Sequence, residues 1–308
     1  MLRVYEAYGI KVRTSLNFAF PESEPSKLGI RFYEKGPDFF SKSSKQATKN
    51  RKKDWFYYSY LRDDSVYLQW TDLFQFQVSR DGNRVYFCPL SRASLICLET
   101  YLLTHVLSFS LIAQAVEPLH STVVSTGNEA IAFLGDCGYG KSSLGAAFLQ
   151  AGFSLVTDDL LVVRMQGSSG LALPGLPRVK LFPKMAQHLL SHLTDKTPMN
   201  PFTRKSVLSL SQNMWCRSPV PLKAIYILSS PREKAERISI DRLSSGQSCV
   251  ELIKSTFNNV VVEPARLGRQ LLAMSEIAAH IPIKLLSFPR DLKLIPEVRK
   301  AILADVGA

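Results

Sequence analysis

Apart from a polar stretch around 41–54, the pattern of apolar and polar positions makes residues 1 to about 90 read as a mainly β region, with weak alternation over 2–20 and clearer alternation after residue 65. Residues 2–20 predict one or two strands. WFYYSYLR (55–62), SVYLQWTDLFQFQVS (65–79) and NRVYFCPL (83–90) predict more. The last two flank Arg80-Asp81-Gly82-Asn83, and an Asp-Gly pair between alternating strands signals a hairpin. The pattern then changes to a long apolar stretch from about 92 to 114, predicting a helix with Ser91 as its N-cap. Glu99, His105, Ser108, Ser110 and Gln114 interrupt it, so it reads as a buried or amphipathic helix rather than the ~18-residue apolar run of a membrane span.

Beyond residue 115, strands and helices intermingle. HSTVVS and EAIAFLG flank Thr126-Gly127-Asn128 as a second hairpin, and FSLVT (153–157) is a further strand. LLVVRM and LALPG lie on either side of Gly167-Ser168-Ser169-Gly170. A helix begins near Pro183, LKAIYILSS and ERISIDRL are strands, and helices are expected over about 245–256 and 264–279. IPIKLLSFPR is a late strand, and PEVRKAILADV is a closing helix with Pro at its start. The expected fold class is α/β. A β-rich N-terminal region closed by a helix, 1–115, precedes an α/β domain, 116–308.

Charge adds a constraint. The 308 residues carry a formal charge of +12, which favours anionic partners such as nucleotides, acidic peptides, nucleic acid or membrane surfaces. Part of the excess sits in SKSSKQATKNRKKD, residues 41–54. This stretch lacks apolar residues and is expected to be a flexible, solvated loop, or a mobile clamp on an anionic substrate through Lys42, Lys45, Lys49, Arg51, Lys52 and Lys53. No RNA-binding motif accompanies it, so nucleic acid is not an expected partner. The N-terminus is charged from residue 3 and does not read as a secretory leader. The five cysteines form no CxxC pair, so neither a disulfide framework nor a zinc site is expected. The expected location is cytoplasmic.

The candidate chemistry lies in FLGDCGYGKSSLGAAFLQAGFSLVTDD, residues 133–159. Gly135, Gly140, Lys141 and Ser142 fit GxxxxGK[ST] between an apolar strand and a helix that stops at Gly152. Gly135, Gly138 and Gly140 allow the loop backbone, with Asp136, Cys137, Tyr139 and Ser143, to turn its N–H groups toward phosphate oxygens. The helix N-terminus adds partial positive charge. Lys141 suits the β- and γ-phosphates, and the Ser142 hydroxyl suits Mg²⁺. Asp158 and Asp159 follow a strand. Adjacent positions on a continuing strand point to opposite faces, so one carboxylate would face the nucleotide and the other a second element. Such a carboxylate can hold metal or its water, or accept a proton from an attacking hydroxyl. His120 opens the strand beside the P-loop.

These residues resemble the HPr kinase/phosphorylase family of P-loop serine kinases. His120 before the P-loop, GDCGYGKSS, and the short helix, Gly and strand ending in paired Asp carry the resemblance, over about 45 residues. It implies an HPr-kinase-like P-loop core, ATP and Mg²⁺ as cofactors, and possible homo-oligomer formation. It also implies an active-site role for His120, phosphate and Mg²⁺ binding by Lys141 and Ser142, proton acceptance by Asp158, and assistance with the metal by Asp159. PGLPRVKLFP (174–183) looks like the corresponding segment of divergent members. Where the family proper carries a Mg²⁺-binding Glu, this chain has Arg178 and Lys180, which could hold phosphate or a substrate carboxylate. YEAYGIKVRTSLNF and the chain length look like the divergent kinases of lasso-peptide biosynthesis, which modify the C-terminal Ser of a precursor peptide. The resulting expectation is an ATP-dependent kinase acting on a serine hydroxyl of a peptide or protein. The alternatives are a kinase for a free amino acid and a non-catalytic ATP-sensing module.

Overall fold

The computed structural model describes residues 2–47, 55–90, 94–233, 235–259 and 261–307. The chain divides into two compact units, Met1–Val116 with Pro198–Thr203, and Glu117–Thr197 with Arg204–Ala308. The mixed α/β character is plain in the element order.

In the first unit, a seven-stranded sheet runs in the order Arg3–Ala7, Ile10–Thr14, Ile30–Glu34, Arg84–Pro89, Phe74–Val78, Val66–Trp70, Phe56–Tyr60. The alternation read from the sequence is a real two-faced pleat. Phe32, Val85, Phe87, Phe76, Val78 and Leu68 are buried, and their neighbours along each strand turn to the other face. The Asp-Gly hairpin forms between Phe74–Val78 and Arg84–Pro89. SVYLQWTDLFQFQVS is two strands rather than one, because Asp72 takes a left-handed backbone (φ 62°) that reverses the chain. Ile30–Glu34, which alternation did not single out, inserts parallel between Ile10–Thr14 and Arg84–Pro89.

The long helix covers Leu95–Ala113 and widens to π-helical pitch over Leu102–Val106. Its N-cap is Ser94, whose side chain accepts from the Cys97 N–H. The expected cap, Ser91, lies outside the described residues. By length and composition alone this helix is long enough and apolar enough to cross a bilayer, but 83% of that window is buried inside the protein. Tyr101 packs 4.9 Å from Trp70, and Phe109 packs 5.4 Å from Tyr58. Two of the polar interruptions find partners, Ser108 donating to the His105 carbonyl and Glu99 accepting from the distant Ala19 N–H, whereas the buried Ser110 hydroxyl has none among the described residues.

The flexible loop expected over 41–54 is corrected in its first part. Pro37–Gln46 is a helix. Two residues anchor it: Phe40, just before the basic run, is fully buried, and Ser43, within the run, donates to Gln77. Lys42 and Lys45 stand exposed on this helix. Lys49, Arg51, Lys52 and Lys53 lie outside the described residues.

The second unit is built on an eight-stranded mixed sheet. Ser154–Leu161, Leu119–Ser125 and Ala130–Leu134 form an antiparallel run. Ala130–Leu134 then pairs parallel with Val220–Leu228, which pairs parallel with Ile283–Ser287. Helices cover both faces. The helices Lys141–Gln150, Pro183–Leu189 and Ile295–Val306 share one core with Ile131, Phe133 and Tyr226. The helices Ser245–Lys254 and Pro264–His280 share the other with Ala132, Leu134 and Ile225. Neighbouring residues of one strand therefore feed opposite cores, which is why EAIAFLG reads as continuously apolar. Arg178–Leu181 is a strand paired with Ser206–Ser209, and neither had a sequence signal of its own.

Candidate active site

The glycine-rich loop leaves the fully buried strand Ala130–Leu134 and enters the helix Lys141–Gln150. Gly135 and Gly140 take φ values of 140° and 97°, which side chains rarely adopt, so these turns demand glycine. Lys141 is 7% exposed. Its ammonium folds over the loop and donates to the carbonyls of Gly135 at 2.6 Å and Asp136 at 3.1 Å. Burial pulls its pKa below the ordinary lysine value, and Asp158 opposes the shift.

Asp158 sits directly behind Ser142. Its Oδ1 accepts from Ser142 Oγ at 3.0 Å and from Thr122 Oγ1 at 2.6 Å, and its Oδ2 accepts from the backbone N–H of Lys180 at 3.0 Å. Three donors on one buried carboxylate hold it in a single orientation. Thr122 comes from the register partner position on Leu119–Ser125. It reaches this place only because the helix residue facing it is Gly145, where a Cβ would fall 2.5 Å from Thr122 Cγ2.

Asp159 differs from the expectation of opposite faces. The strand Ser154–Leu161 does continue through both aspartates, yet both carboxylates serve the P-loop side. Asp159 has a left-handed backbone (φ 78°), which breaks the alternation and turns its side chain into the cleft. Strain of this kind at a non-glycine residue persists only where the surroundings impose it. Asp159 forms an ion pair with Lys180.

A cleft is lined by His120, Cys137, Gly138, Gly140, Lys141, Ser142, Ser143, Asp159, Lys180, Leu181, Phe182 and Lys205. Of the residues singled out from sequence, the fold brings His120, the P-loop residues, Asp159 and Lys180 together here. His120 packs its ring edge-on to Phe257 at 5.5 Å, and its backbone N–H donates to Ser255. Asp136 and Tyr139 contribute backbone rather than side chain. Arg178 is not among the cleft-lining residues; it is buried in its strand.

Lys180 is almost wholly buried. Burial is the largest influence on its ammonium and brings it down to about 8; Lys205 pushes the same way and Asp158 opposes. The ion pair with Asp159 likewise favours the charged form.

Four residues that shape this cleft had no signal in the sequence. Thr122 and Gly145 fix Asp158. Lys205 adds a third ammonium to the cleft and lies 5.3 Å from the Phe182 ring. Arg290 clamps the loop from near the chain's end, donating to the carbonyls of Tyr139 at 2.8 Å and Ser229 at 2.5 Å. Among the described residues no group of three or more His, Cys, Asp or Glu side chains could hold a metal by itself. A divalent cation at Ser142 and the aspartates would therefore share its coordination with nucleotide oxygens, as Mg²⁺ commonly does.

No protein-family model and no curated protein matches this chain. Among solved structures, it is similar to the HPr(Ser) kinase/phosphatase from Coxiella burnetii, at 11% identity and a TM-score of 0.32, over 61% of this chain and 97% of that one.

Proposed function

We propose that this protein is an ATP-dependent kinase that phosphorylates a serine hydroxyl of a peptide or protein. The observation that carries the reading is the meeting of Lys141, Ser142, Asp158 and Asp159 at a glycine-built phosphate cradle. A sensor that only bound nucleotide would need the cradle but no carboxylate facing the cleft.

In this reading the loop N–H groups and Lys141 bind and orient the phosphates. Ser142 and Asp158 fit a Mg²⁺ site, and the ion would neutralise charge on the transferring group. Asp159 faces the cleft and accepts the acceptor hydroxyl's proton as the new O–P bond forms and the bond to the ADP oxygen breaks. The family resemblance gives that proton to Asp158. The three hydrogen bonds on Asp158 favour Asp159 instead, because they commit Asp158 to holding Ser142. Lys180 positions Asp159 and offsets negative charge on the transferred group, with Lys205 beside it. Two ammonium groups next to the acceptor position also suit a serine bearing its own free carboxylate. The finer reading is therefore the C-terminal Ser of a precursor peptide of the lasso type.

The test incubates the protein with ATP, Mg²⁺ and Ser-terminated peptides, with and without a C-terminal amide, and follows a phosphate-sized mass increase. Transfer should vanish in Lys141→Ala. It should fall with ATP binding retained in Asp159→Asn, whereas Asp158→Asn should mainly raise the Mg²⁺ needed for half-activity. The opposite pattern for the two aspartates would return proton acceptance to Asp158. Nucleotide binding without transfer to any peptide or amino acid would favour the sensor.

A further inference from the structure

The face of the seven-stranded sheet turned away from the helix Leu95–Ala113 carries three arginines in one cross-strand row. Arg13 is the register partner of Arg31, and Arg31 is the register partner of Arg84. Register partners share a face, and with strands ~4.8 Å apart the three positions span about 10 Å. Their strand neighbours Val12, Ile30 and Val85 are buried on the other side.

Like charges side by side on neighbouring strands repel, and Asp81, whose charged form Arg84 favours, answers only one end of the row. Among the described residues, neither Arg31 nor Arg84 forms an ion pair. Arg13 donates one Nη1 bond to the Lys27 carbonyl, and its buried Nε has no partner. Two residues further along the same strands, Tyr33 stacks on Tyr86 at 5.6 Å, and the half-exposed Phe39 packs on Tyr86 at 4.9 Å. Two shallow depressions, of about 650 Å³ and 430 Å³, share Arg84 and Asp81.

We propose that this face docks an acidic peptide segment. Its carboxylates would take the guanidinium row, and an apolar or aromatic side chain would rest on the Tyr33–Tyr86 pair. Guanidinium groups suit this role because their planar fork binds a carboxylate with two parallel hydrogen bonds. A continuous polyanion fits less well. Asp63 and Asp81 line the larger depression, and Asp64 pairs with Arg80 nearby; these acids would repel a phosphate backbone but tolerate a peptide of spaced charges. The proposal stands apart from phosphoryl transfer, and so does its test.

The experiment measures fluorescence anisotropy of the full chain without nucleotide. The probes are a labelled peptide of Glu-Tyr-Glu-Leu repeats, its counterpart with Gln for Glu, and a labelled oligothymidylate. The acidic peptide should bind in low salt and the Gln counterpart should not. Arg31→Gln/Arg84→Gln should weaken binding roughly tenfold or more, the scale of losing hydrogen bonds to charged groups. This variant should melt no lower than wild type, because the like-charge row is relieved. Lys293→Gln/Lys300→Gln removes the same charge from the second unit and should change nothing. Equal weakening by both double variants would reduce the effect to net charge and overturn the proposal. So would tighter binding of oligothymidylate than of the acidic peptide. Lys141→Ala should leave peptide binding untouched, so failure here is separable from failure of the kinase reading.

Discussion

Replacing Gly145 with Ala makes two opposite demands on the P-loop helix. In an open helix interior, Gly→Ala stabilises by about 1 kcal/mol. Here the new methyl would lie 2.5 Å from Thr122 Cγ2, far inside the ~3.5–4.0 Å of a favourable carbon contact. Overpacking of this kind costs roughly 1–3 kcal/mol, so the net change is a loss of about 0–2 kcal/mol. For a domain of this size each kcal/mol moves the melting temperature by about 2–4 °C. The functional effect should exceed the stability effect. Thr122 is one of three donors on Asp158, and a hydrogen bond to a charged group is worth about 1.5–3 kcal/mol. Displacing it should lower phosphoryl transfer roughly tenfold or more. The companion change Thr122→Ser removes Cγ2 and keeps the hydroxyl, so Thr122→Ser/Gly145→Ala should recover both properties beyond additivity. Thermal melts and turnover of the four proteins decide the matter. A Gly145→Ala protein that melts higher than wild type with unchanged turnover would refute the argument.

If the protein transfers phosphate as proposed, Lys180 should set an alkaline limit on that transfer. Its folded pKa lies near 8, below the usual lysine value, so its charge is present below that pH and lost above it. Transfer should decline as pH rises through about 8, and in Lys180→Arg, which stays charged, the limb of the pH–rate profile should move upward. Arg266 is fully buried, with hydrogen bonds to Glu117, Phe257, Asn258 and Val261. Arg266→Met should cost about 3–5 kcal/mol by stranding the Glu117 charge, and Glu117→Gln/Arg266→Met should regain much of it in a denaturant titration. Arg290→Ala releases the Tyr139 and Ser229 carbonyls; ATP affinity by calorimetry should fall severalfold while the far-ultraviolet circular dichroism stays the same.

The sequence by itself determined the parts of this protein that depend on near neighbours. The glycine-rich strand-to-helix loop is legible because strand, glycine turn, lysine and helix start are contiguous, and each answers to a local backbone requirement. The two hairpins at Gly82 and Gly127 and the helix stop at Gly152 are legible for the same reason. The tertiary structure decided what depends on register and on long-range return of the chain. Alternation says which face a residue takes, but not which strand lies beside it. Arg13, Arg31 and Arg84 therefore became a row only through the strand order. Thr122 met Asp158 only through antiparallel pairing, and Gly145 acquired its purpose only when the helix lay across Thr122. The sequence pattern sent the two aspartates to opposite faces; a left-handed backbone at Asp159 turned both toward the loop. Lys205 and Arg290 stand 64 and 149 residues from Lys141 along the chain. Their contribution rests on packing among distant segments, which no local pattern encodes.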